Sequence, residues 1–129
     1  MLHRLAIVAV VCAAPVHAGL GDEPAITEGL IALGIAHEIS EVCPDIDARR
    51  IRGFTYLMGL QSKARALGYS SAEIDAFVDD DAEKDRLEAV ARARLAAMGA
   101  GRGDVAAHCA VGRAEAARKS PIGRFLNPR

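Results

Sequence analysis

The chain has 129 residues, with 16 basic and 17 acidic side chains and a formal charge of −1. That length is one domain's worth, and a balance so close to neutral gives no field that would recruit nucleic acid. Aromatic residues make up 4% of the chain and tryptophan is absent, so stacking platforms for bases or sugars are hard to build.

Residues 1–18 read as a secretory signal peptide. His3 and Arg4 form a basic start, Leu5 to Ala14 an apolar run broken by Pro15, and Val16-His17-Ala18 a cleavage site. The run is about half the ~20 residues that a transmembrane helix needs. Cys12 leaves with this segment, and Val11 before it argues against lipid attachment. The expected product is one helical domain over 19–129, released into the periplasm with no stable membrane anchor. Cys43 and Cys109 are then the two remaining cysteines, in a compartment where disulfides persist, and they are expected to bond to each other.

The mature chain favours helices: Ala, Leu, Arg and Glu dominate, and β-branched runs are missing. A first helix is predicted from about Ile26 to Val42, its apolar face (Leu30, Leu33, Ile35, Ile39, Val42) broad enough for a central position. Cys43-Pro44 ends it, because a residue before proline leaves the α region. A second helix is predicted from an Asp47 N-cap to Leu67, with Ile51, Phe54, Leu57, Met58, Ala64 and Leu67 turned inward and Gly68 as its stop. Ser70 and Glu73 stand in capping-box relation, with Tyr69 and Ile74 at the staple positions, which starts a third helix reaching about Val78. Asp79-Asp80-Asp81 caps a fourth, about 82–98, with a stripe of Leu87, Val90, Ala91, Leu95 and Met98. Glycines 99, 101 and 103 break the chain, and Asp104 caps a fifth helix, about 105–118, carrying Val105, Cys109, Gly112 and Ala116. Ile122, Phe125 and Leu126 follow Ser120-Pro121 and are expected to dock. The fold class is all-α, a small bundle of four to five helices stapled by one disulfide.

No catalytic constellation stands out, and no cofactor is expected. His37, Glu38 and Glu41 lack the second histidine of a zincin helix, and three protein ligands are the usual catalytic minimum. Asp79-Asp80-Asp81 lacks the alternate carboxylates and central glycine of a calcium loop. None of the serines sits in a strand–turn–helix elbow. Arg49, Arg52, Tyr56, Gly59 and Lys63 share one face of the second helix and form the preferred surface for a periplasmic protein partner, such as an acidic helix.

Cys43-Pro44-Asp45-Ile46, Leu67-Gly68-Tyr69-Ser70, Asp81-Ala82-Glu83-Lys84, Cys109-Ala110-Val111-Gly112-Arg113 and Ser120-Pro121-Ile122-Gly123 together carry a resemblance. The chain resembles a small family of exported all-helical proteins of unknown function from marine-type alphaproteobacteria. The resemblance implies a periplasmic setting and nothing catalytic.

The leading expectation is therefore a binding or structural module acting through a helix surface. The alternative is an acid- or stress-responsive periplasmic chaperone, by analogy of architecture. With all carboxylates protonated the mature side chains carry about +17, and self-repulsion would loosen the bundle around its disulfide.

Overall fold

A computed structural model describes residues 19–129. The signal peptide expected at residues 1–18, Cys12 included, lies outside them. The described chain forms five helices: α1 (Pro24–Val42), α2 (Arg50–Ala66), α3 (Ser71–Val78), α4 (Asp81–Ala97) and α5 (Val105–Ala117). Two short strands, β1 (Ile46–Ala48) and β2 (Leu126–Pro128), pair antiparallel with Ile46 opposite Pro128 and Ala48 opposite Leu126. The all-helical bundle is thus realised, with a small sheet added.

Helix α1 is the hub, packing against α2, α4, α5 and β1. Pro24 opens it at a first-turn position where its missing N–H costs nothing. Ile31, Ile35 and Ile39 recur at four-residue steps and are buried with Ala91 and Leu95 of α4, Ile46 of β1 and Leu126 of β2. The first turns of α1 enter a second cluster, where Ile26 meets Leu20, Leu60, Ala64, Tyr69 and Ile74.

Local capping chemistry sets most helix starts. The Ser70 hydroxyl accepts from the Glu73 amide while the Glu73 carboxylate accepts from the Ser70 amide, a complete capping box. Tyr69 and Ile74, on either side of it, are buried in the same cluster. Asp80 and Asp104 cap α4 and α5 by accepting from the amides of Glu83 and Ala107.

Cys43 and Cys109 are bonded, with Cα atoms 5.2 Å apart. The bridge ties the end of α1 to the first turns of α5 across a separation of 66 residues. In the chain-entropy account, constraining an unfolded loop of that length contributes roughly 4 kcal/mol. Beside it, α5 crosses α1 at Gly112, where a methyl group would lie 2.5 Å from Ile46 Cδ1 and 2.7 Å from Ile39 Cγ2.

Two expectations about α2 are corrected. Asp47 is not its cap: it belongs to β1, its carboxylate accepts from Arg129, and α2 begins three residues later. The inward face is also a different one. Tyr56, Leu60 and Ala64 turn toward α1, whereas Ile51, Phe54, Leu57, Met58 and Leu67 are exposed. The cause is tertiary: Tyr56 fits over Gly29 of α1, and its ring meets Phe125 with centroids 5.1 Å apart.

The C-terminal segment docks, as its apolar content predicted. Phe125 and Leu126 are buried, and a methyl on Gly123 would overlap the Glu115 carbonyl of α5. Arg49 donates its amide to the Phe125 carbonyl at 2.7 Å and its Nε to the Leu126 carbonyl at 3.0 Å. Arg129 closes the clasp through the Pro44 carbonyl and the Asp47 carboxylate.

Candidate functional site

A cleft of about 540 Å³, open to a ligand, lies between α1, α2, α3 and α4. Each helix contributes a stripe at its natural period: Ile26, Leu30 and Gly34 from α1, Leu57, Leu60 and Ala64 from α2, and Leu87 and Ala91 from α4. Phe77 of α3 also lines the cleft. The space stays open for two reasons. Helices α2 and α4 both pack on α1 and hardly on each other, and the residues facing the gap include Gly34, Ala64 and Ala91, which have little side chain to fill it. A cavity of this size, apolar within and polar at the mouth, is the usual form of a small-molecule site.

The mouth is polar and mixed in charge, with His37, Glu38, Gln61, Lys84, Glu88 and Arg92 around it. Along α4, Lys84, Glu88 and Arg92 follow at four-residue intervals with alternating sign, so no single charge dominates. The walls are braced elsewhere. A two-pronged pair joins Glu28 of α1 to Arg94 of α4 at 2.6 and 2.8 Å, and the Arg94 hydrogen bond holds the Glu28 carboxyl below its ordinary range. Arg86 bonds both Glu83 and the Gly21 carbonyl, fastening the N-terminal turn to α4, and the Glu83 bond raises its own already high pKa.

The residues singled out from sequence as a partner face have other surroundings. Arg49 and Arg52 donate to carbonyls of the C-terminal segment, Arg52 to Arg124 at 3.0 Å. Tyr56 is half-buried against Phe125, with the Arg124 guanidinium 4.4 Å above its ring. Lys63 stands exposed farther along α2, and Gly59 faces open space. The structure therefore brings Arg49, Arg52 and Tyr56 together around the chain's own C-terminus and leaves Lys63 apart from them.

Among the described residues, the two histidines lie apart. His37 is exposed at the cleft mouth, whereas His108 is buried in α5 with its Nδ1 2.6 Å from the Asp104 carbonyl. Cys43, Asp45 and Cys109 lie close enough to suggest ligands, yet both sulfurs are spent in the disulfide and offer no thiolate. Glu115 is a buried carboxylate whose Oε1 accepts from Arg118. Its Oε2 has no partner among the described residues.

Sequence reasoning missed the cleft. Its individual stripes were visible as helical periodicity, but the gap between them depends on how far apart α2 and α4 rest on α1. No curated protein and no solved structure matches the chain. A family model does, over residues 18–127, and the chain belongs to that family, DUF5333, a family of unknown function.

Proposed function

We propose that this protein is an exported, periplasmic binding module that works without catalysis and holds the apolar chain of a small amphiphile in the cleft over α1 between α2 and α4. The cleft itself carries the reading: about 540 Å³ of mostly apolar lining with a polar mouth. Burying a methylene there is favourable by about 0.8 kcal/mol, so a medium-length alkyl chain supplies enough to offset the freedom it loses on binding. The alternating charges on α4 would solvate a polar head without demanding one sign. Export is supported by the apolar, cleavable N-terminal run and by a bridged cysteine pair, which persists in an oxidising compartment.

The absence of tryptophan makes the test direct. In a Phe77→Trp variant the only indole stands in the cleft lining. Titration with alkyl amphiphiles of increasing length should shift its emission to shorter wavelength, and affinity should tighten about fourfold per methylene until the cleft is full. Emission unmoved by every member of the series, or affinity independent of chain length, would contradict the reading.

A further inference from the structure

The correction to α2 leaves an apolar face turned to water. Ile51 is 85% exposed and Phe54 66%, the two highest values among the large apolar side chains described. Met58 continues the stripe along the next turn. Charge is segregated around it. From residue 48 to residue 72 there is no Asp or Glu, while Arg49, Arg50, Arg52, Lys63 and Arg65 all fall within that span of a chain that is slightly acidic overall. Helical geometry sets Arg50 and Arg52 on opposite flanks of Ile51, and Arg65 continues the line from Ile51 through Met58. Arg124 adds a further cation beside Arg49, Arg50 and Arg52, around a shallow hollow floored by Tyr56 and Phe125.

We propose that α2 is a membrane-surface helix, which lies in the plane of an anionic phospholipid leaflet with Ile51, Phe54 and Met58 below the headgroups. Arg50, Arg52, Lys63 and Arg65 meet the lipid phosphates. Charge complementarity selects this occupant. An apolar stripe bordered on both flanks by one sign of charge matches a surface that is uniformly negative outside and hydrocarbon beneath. A folded protein partner would instead have to supply carboxylates at matched positions along both flanks. The contact is of the lying kind, since no described helix is long and apolar enough to cross a membrane. The inference is independent of the cleft's ligand.

The test is cosedimentation of the processed chain with vesicles of phosphatidylglycerol and phosphatidylcholine in equal parts, against vesicles of phosphatidylcholine alone. Binding is expected to the first and not the second, and should fall as salt rises and screens the phosphates. Ile51→Ser with Phe54→Ser should reduce it at least tenfold, with the helical circular dichroism unchanged because both side chains are already in water. Arg50→Gln and Arg65→Gln should each weaken binding by about fivefold. No sedimentation with the anionic vesicles would overturn the proposal, as would equal binding by the Ile51→Ser, Phe54→Ser variant. A dimer in sedimentation equilibrium that this variant abolishes, without vesicle binding, would assign the stripe to a second copy and also overturn it.

Discussion

Two glycines in helix interiors should respond to alanine with opposite signs, because one meets a packed core and the other meets water. Gly59 in α2 has nothing within 4 Å of the position a Cβ would take. Alanine there removes the excess freedom of glycine in the unfolded chain and should stabilise the protein by roughly 0.5–1 kcal/mol. Gly112 in α5 gains the same helical preference, but its new methyl would stand 2.5 Å from Ile46 and 2.7 Å from Ile39. Those side chains are 1% and 0% exposed, and the disulfide one turn away limits how far α5 can retreat. Overpacking of this kind costs typically 1–3 kcal/mol, enough to outweigh the helical gain. Gly112→Ala should therefore lower stability by about 1–2 kcal/mol, while Gly59→Ala raises it. Urea denaturation followed by circular dichroism reads both through the midpoint, with the slope unchanged. Equal stabilisation by the two substitutions would refute the close crossing of α5 over α1.

Three further outcomes follow from the same structure. Replacing Cys43 and Cys109 together by serine should cost up to about 4 kcal/mol, and an unchanged urea midpoint would show that the bridge constrains nothing. Ser70→Ala should cost about 1 kcal/mol by stranding the Glu73 amide, and a neutral thermal melt would transfer the role to Tyr69 and Ile74 packing. The Glu28 carboxyl is held below its ordinary value of 4.5 in the folded chain. Its pair with Arg94 is therefore fully stabilising above that value and is lost as pH falls through the depressed one. Both side chains stand half in water, which keeps the effect below about 1 kcal/mol. Glu28→Gln should be less stable than the parent at neutral pH and converge with it in acid, and a constant gap across the acid range would contradict the assignment.

What the sequence disclosed was mostly local. The Ser70–Glu73 box, the Asp80 and Asp104 caps and the Cys43–Cys109 pair each depend on a few neighbouring residues or on there being one available partner. The β1–β2 pairing was hidden because each strand is three residues long and its partner lies some 80 positions away in the chain. Helix α2 misled for a physical reason. Two apolar stripes, Ile51–Phe54–Met58 and Tyr56–Leu60–Ala64, run along it, and distant partners (Gly29, the returning Phe125 and the cluster around Ile26 and Ile74) decide which is buried. The interleaved arginines and the lack of any acidic residue over 48–72 were a signal that the first stripe faces something other than the core. The cleft left no comparable trace, because Gly34, Ala64 and Ala91 look the same in a sequence whether a neighbour covers them or not.

The central claim is that an apolar chain enters over α1 between α2 and α4. Amide chemical shifts of the uniformly ¹⁵N-labelled protein, followed while a decyl amphiphile is added below its micellar concentration, test it most directly. Gly34 and Phe77 in the cleft lining should move in a saturable way, while Gly112 on the opposite side of α1 stays in place. Shifts confined to Ile51 and Phe54, or spread evenly across the molecule, would contradict a binding cleft.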